Sequence, residues 1–201
     1  MATTTAPLSE VAIANMAATT LDDTHLNSLE EDSNLGRFMS SQFGLVRDEL
    51  LASHVWACAL TRKNVGKMTA DPDFGYDYQY QLPSDCLRII PPRVDGDPDA
   101  PLIPFRREGR RILTNYKAPL PLNFVRRLTN PVDMDPLFAR ALGQYLGLLA
   151  AQRITGKESY FEKASRLFNQ AITLAQQVNA LEIGTQTSYN TNDPMASRLA
   201  C

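Results

Sequence analysis

The apolar residues of this chain change their period twice, and that change constrains the fold more than any other feature. From Ser33 to His54 they recur as Leu35, Phe38, Met39, Phe43, Val46, Leu50 and Leu51, the spacing of one helix face. A helix of that length is about 30 Å long at ~1.5 Å per residue. Gly44 costs it some stability without breaking it. Over residues 57–128, where most of the prolines lie, the period drops to two. Tyr76, Tyr78, Tyr80 and Leu82 alternate with Asp77, Gln79 and Gln81, which predicts a half-buried strand. Pro83, Ser84 and Asp85 turn the chain, and residues 86–90 read as a second strand. Residues 95–101 have the composition of a loop. Residues 105–114 predict a hairpin pivoting on Glu108 and Gly109, and 122–128 supply another strand. Helical spacing returns at Asp135-Pro136, a cap followed by proline at the first helical position. Leu137, Phe138, Ala141, Leu142, Tyr145, Leu148 and Leu149 line one face, and Gly156 stops the helix. In a final helix over 159–181, Phe161, Ala164, Leu167, Phe168, Ala171, Ile172, Ala175 and Val178 are expected to face inward. The short connection between these two helices predicts an antiparallel pair.

The expectation is therefore an α+β fold. A helical body is made from the long N-terminal helix and the C-terminal antiparallel helix pair, with a central β-rich insertion and an extended C-terminal arm. The divisions fall at 1–56, 57–131, 132–181 and 182–201. Within the first, Ser9 is a candidate N-cap for a short helix carrying Val11, Ile13, Ala14, Met16 and Ala17. The arm is polar and aperiodic, the character of a segment that orders against a partner. Met195 and Leu199 are its candidate anchors.

A chain of 201 residues with 44% hydrophobic and 21% charged residues can build a real core. Its formal net charge of −2 gives no overall attraction to nucleic acid or an anionic membrane. No apolar run approaches the ~20 residues of a spanning helix, and the first residues lack the basic stretch and apolar core of a signal peptide. A soluble protein is expected, without membrane association. Cys58, Cys86 and Cys201 are scattered, and His25 and His54 are the only histidines. Zinc needs about four N/S ligands at characteristic spacings, so neither a metal nor a cofactor is expected.

Catalytic signatures are also lacking. The chain has no G-x-S-x-G elbow, phosphate-binding loop, G-x-G-x-x-G or H-E-x-x-H. His54, at the end of the long helix, reads as a cap or packing residue, since a cation there is favoured by the dipole. His25 reads as a solvated loop residue. Glu30, Glu31 and Asp32 could do acid–base work, but they also suit an acidic lead-in to a helix N-terminus. The tyrosine stripe could stack bases, or it could be one packed sheet face. The basic set Arg106, Arg107, Arg110, Arg111, Lys117, Arg126 and Arg127 has Glu108 as its only acid between Ile103 and Leu128. It is either a solvated hairpin or a docking surface for an acidic partner or for passing DNA. Arg106, Arg107, Arg110 and Arg111, with Met195 and Leu199, are the candidate partner-interface residues.

Three segments carry a resemblance. They are Asn27-Ser28-Leu29-Glu30-Glu31 before the long helix, Arg47-Asp48-Glu49-Leu50-Leu51-x-x-His54-x-Trp56 at its end, and Tyr76-x-Tyr78-x-Tyr80-x-Leu82-Pro83-x-Asp85-Cys86-Leu87-Arg88. Together they resemble the tail tubular protein A family, head-to-tail adaptors of short-tailed bacteriophages. The chain departs from the family where Ala18 or Thr19 stands for a frequent glycine and Val55 for a frequent proline. The resemblance implies a non-enzymatic virion protein with a helical body and a β-rich extension. It would form a dodecameric ring between the portal protein and the tail nozzle protein, with genome DNA passing through without sequence-specific binding. It implies no catalytic residues. Two other classes are open on the residues alone. One is a DNA-binding regulator, although its first helix carries no Lys or Arg. The other is a small tail-associated cell-wall hydrolase built on Glu30, Glu31 or Asp85.

Overall fold

The computed structural model describes residues 7–183, and these form the expected mixture of helices and antiparallel sheet. Three of the helices begin where a side chain can accept from their orphan amides. Ser9 Oγ accepts from the Ala12 amide at 3.1 Å and starts α1, Glu10–Thr20. Ser33 Oγ accepts from Gly36 N at 2.9 Å and starts α2, Asn34–Ser53. A Cβ on Gly36 would sit 2.2 Å from the Glu31 carbonyl oxygen, so the acidic turn folds back onto α2 only because that residue is glycine.

The central segment forms two three-stranded antiparallel sheets. Its strands are β1 (Leu60–Val65), β2 (Tyr78–Gln81), β3 (Cys86–Ile90), β4 (Arg106–Glu108), β5 (Arg111–Thr114) and β6 (Leu120–Arg126). One sheet has the order β1-β6-β3 and the other β2-β5-β4. The expected hairpin is β4–β5, with Glu108 opposite Arg111 and Gly109 at φ 56° in the two-residue turn. β1 has no counterpart in the sequence reading. Its middle residues Arg62, Lys63 and Asn64 are exposed on a sheet edge, so it shows none of the alternation that marks a half-buried strand.

After β6, Asp135 caps α3 (Pro136–Ala150), accepting from Leu137 N at 2.8 Å and Phe138 N at 3.1 Å. A π-type turn, Ala151–Thr155, follows and ends at Gly156 in the left-handed region. The last helix, α4, spans Glu158–Ile183, so it runs on into the stretch from 182 that reads as an arm in the sequence. Met195 and Leu199 lie outside the described residues.

Two cores result. The larger joins α1, α2, α3 and the small residues of α4 around Ile13, Leu35, Met39, Leu51, Trp56, Phe138 and Leu142. The smaller, in the β region, holds Tyr80, Leu82, Cys86, Ile103, Ile112, Leu120, Leu122 and Phe124. Strand β6 belongs to both. Leu120, Leu122 and Phe124 alternate into the small core, while Val125, on the opposite face, and Leu128 enter the helical one. α3 lies against α1 through glycines: a Cβ on Gly143 would come 2.8 Å from Met16 Cβ and 2.9 Å from Ile13 O, and one on Gly147 3.3 Å from Ala17 Cα. Among the described residues no helix is long and apolar enough to cross a membrane.

Candidate functional site

The resemblance-bearing residues at the end of α2 and in β3 meet where the helical body joins the β region. The Trp56 ring is 2% exposed and packs edge-on against Phe138 and His54, with centroids 5.1 and 5.0 Å away. Its Nε1 donates to Leu50 O at 2.9 Å, satisfying the one polar atom of a buried indole. Arg88 reaches from β3 to the last carbonyls of α2, donating to Ser53 O at 3.2 Å and Ala52 O at 3.5 Å. The cation at this helix end is therefore Arg88, not His54. Burial, and then the nearby Arg88 charge, push His54 below its ordinary pKa, so the imidazole packs as a neutral ring.

Two further side-chain links leave α2, one across the joint to Arg127 and one to α3 within the helical body. Asp48 Oδ2 accepts from Arg127 Nε at 2.6 Å while its Oδ1 takes Arg47. Glu49 accepts from the Tyr145 hydroxyl of α3 at 2.9 Å. From α4, buried Asn179 donates to Val55 O and accepts from Ala57 N, both at 2.7 Å. The sequence gives no warning of this residue, because a lone Asn in an amphipathic helix carries no local signal. Its role depends on a strand connection more than a hundred residues away.

The arginine hairpin projects from the β region with Arg106, Arg107, Arg110 and Arg111 all exposed. Arg106 faces Glu108 at 3.6 Å. Arg107 donates to Gly109 O at 3.2 Å, Arg111 to Gln79 Oε1 at 3.3 Å, and Arg110 to Pro83 O. Among the described residues, Arg107, Arg110 and Arg111 thus hold neutral acceptors and no carboxylate. The seven-residue basic set divides here. Arg127 is tied to Asp48 and Arg126 lies 3.9 Å from Asp133, so both serve the joint rather than the hairpin. Beside the hairpin, Asp71, Asp73, Phe74, Arg106, Glu108 and Arg111 line a recess of about 380 Å³. Its charges are mixed and Phe74 is 88% exposed.

Comparison with protein-family models and with the sequences of curated proteins gives no match.

The remaining candidates sit as follows. The Glu31 carboxylate accepts from Asn27 N at 3.0 Å and Asp32 pairs with Arg37 at the surface, so the acidic cluster holds the turn before α2. Asp85 accepts from Arg127 N through its backbone at 2.8 Å. His25 lies exposed, 3.0 Å from Thr19 Oγ1. Tyr80 is fully buried and donates to Tyr116 O at 2.6 Å, and Tyr78 packs partly on the same core. Tyr76, by contrast, precedes β2 and lines the recess beside the hairpin, and Gln79 is buried rather than outward, so two of the three tyrosines form a packed face. Among the described residues no group of three or more His, Cys, Asp or Glu is placed to hold a metal ion. Burial pushes the Cys58 and Cys86 thiols up, which keeps them protonated and weakly nucleophilic. α1 buries Ile13, Ala14, Ala17 and Ala18, a wedge in the core rather than a face presented to a groove of DNA.

The outer face of α4 differs from its expected pattern. Ala164, Ala171, Ala175 and Asn179 are buried, but Phe161 is 37% exposed, Leu174 44% and Leu181 81%. Phe161 therefore does not face inward as the sequence predicts. The narrow alanine stripe brings α4 close to α3, and the larger residues are left at the flanks. On α2, Leu45 is 66% exposed.

Proposed function

We propose that this chain is a structural subunit that works by assembling with other proteins, as a head-to-tail adaptor ring between the portal and the tail nozzle of a short-tailed phage. Genome DNA would pass through the ring, and the chain would act in the virion without catalysis. The observation that carries the reading is the outward face of α4. A helix of 26 residues, about 39 Å at ~1.5 Å per residue, buries only a thin stripe of small residues. It keeps Phe161 and Leu174 beside Asn169, Thr173 and Gln177 along a shallow trough. Apolar side chains held at a solvent-facing helix flank suit contact with another chain. A ring subunit needs two such lateral faces, because its contacts are heterologous and close by rotation. The helical body with a β-rich extension has the architecture the resemblance implies, and the resemblance-bearing residues at the end of α2 and in β3 build the joint between the two parts. The arginine hairpin supplies a separate polar surface for a protein partner.

Phe161→Lys together with Leu174→Lys tests this. The double variant is expected to keep the wild-type circular dichroism spectrum and to fail to assemble on its cognate portal ring in electron micrographs. Normal rings from a folded double variant would remove α4 as a lateral face.

A further inference from the structure

The β region is electrically polar along its length. At one end is the β4–β5 turn with Arg107, Arg110 and Arg111. It lies next to the start of β3, where Arg107 and Arg110 act on the Cys86 thiol and Arg110 O accepts from Leu82 N at 2.9 Å. β3 then runs away from that turn to Ile90 and leads into the loop holding Asp95, Asp97 and Asp99. β5 runs the same way, from Arg111 through Thr114 to Tyr116, whose hydroxyl donates to Asp95 Oδ1 at 2.8 Å. Asp77 is placed at this end as well, its amide donating to Asn115 Oδ1 at 3.0 Å. Two independent strands therefore fix the arginines and the aspartates at opposite ends.

Neither group is neutralised by the other. Five residues of strand at ~3.3 Å each put them roughly 15 Å apart, beyond the screening length of about 8 Å at physiological salt. Asp77, Asp97 and Asp99 are exposed and hold no cation among the described residues, while Asp97 Oδ1 accepts from Asp99 N at 2.9 Å. Lys117 is exposed at the same end, and Arg93 turns its guanidinium onto Ala100 O at 2.6 Å, so the aspartates still outweigh the local cations. At the other end Glu108, Asp85 and the recess carboxylates Asp71 and Asp73 stand against the four arginines. Asp71 is taken by Lys67 and the recess lies beside Arg106 and Arg111, so the positive excess is on Arg107 and Arg110. Leu102, 52% exposed and bridged to Arg93, adds an apolar contact beside the acidic loop.

We infer that the two ends of the β region are complementary docking faces between copies of this chain, with Arg107 and Arg110 of one copy meeting Asp97 and Asp99 of the next. The inference rests on the ring-subunit reading and names the contact. Identical copies whose opposite ends carry opposite charge pair head to tail, and such pairing closes into a ring when the rotation permits. Complementary charge also speeds encounter and fixes register. The acceptors now holding the arginines are neutral, so a carboxylate displaces them without breaking an ion pair.

The test uses two full-length variants, Arg107→Glu/Arg110→Glu and Asp97→Lys/Asp99→Lys, each checked for the wild-type circular dichroism spectrum. Native mass spectrometry at low ionic strength, with and without the cognate portal ring, reads the assembly state. Wild type is expected to assemble, and each variant alone to lose self-association at least about tenfold. An equimolar mixture of the two is expected to recover it, since each then meets an opposite charge. Recovery in the mixture alone supports the contact. Assembly of both variants at wild-type strength overturns this contact and leaves the ring reading standing. Loss in both without recovery also overturns it, because the two faces are then not each other's partners. A wild-type chain that stays monomeric with and without the portal overturns both.

Discussion

The helical body and the β region spend their side chains in opposite ways. In the helical body α1 and α3 approach so closely that two glycines are needed, and Ala14, Ala17 and Ala18 fill the seam. The β region closes a small core around Tyr80, Ile112 and Phe124, and it keeps Arg107, Arg110 and Arg111 exposed on neutral acceptors among the described residues. One region is fixed by steric fit, where each methylene is felt. The other holds surface groups in place on a thin scaffold. The joint at Trp56, Asn179 and Arg88 is what makes the orientation of that scaffold a property of the whole chain.

The largest loss is expected at the joint. Trp56→Ala removes the ring shared by His54 and Phe138 and should cost about 4 kcal/mol, read as a lowered urea midpoint. A loss under about 1 kcal/mol would mean that the joint contributes little. Gly143→Val should cost about 3 kcal/mol by forcing α1 off α3, whereas Gly109→Ala, on an open turn with nothing within 4 Å of its Cβ, should cost only about 1–2 kcal/mol for its left-handed backbone. Equal effects would erase the contrast between the two regions. Asn179→Ala leaves Val55 O and Ala57 N unpaired and should cost about 2 kcal/mol.

A smaller effect comes with pH. His54 has a folded pKa below its unfolded value of 6.5, so the folded state binds fewer protons and stability falls as pH drops. The contribution is complete above the unfolded value and fades as pH falls through the folded one. Between about pH 7 and 5, wild type should lose more stability than His54→Gln in paired denaturation curves. Parallel curves would mean that the imidazole is not desolvated. Smallest of all, Arg107→Glu/Arg110→Glu should shift stability by no more than about 0.5 kcal/mol, since neither arginine holds a carboxylate within the fold.

The sequence carries a good deal of this. Ser33 and Asp135 mark helix starts because capping chemistry is local, and the Glu108-Gly109 pivot shows because a tight turn needs a positive φ. β1 is hidden because an exposed edge strand has no apolar alternation, and Phe161 is misplaced because a helical period cannot say how wide the buried stripe is. The hairpin arginines are readable as a cluster, but their separation from Arg126 and Arg127 needs the register of β6. Asn179, Arg88 and the glycines of α3 become visible only when distant segments are brought together.

The most direct test is the mass of the intact chain by light scattering, alone and mixed with its cognate portal ring. An adaptor is expected to give a defined complex many subunits in size once the portal is present. A chain that elutes as a monomer in both samples, with the portal unchanged in mass, would contradict it.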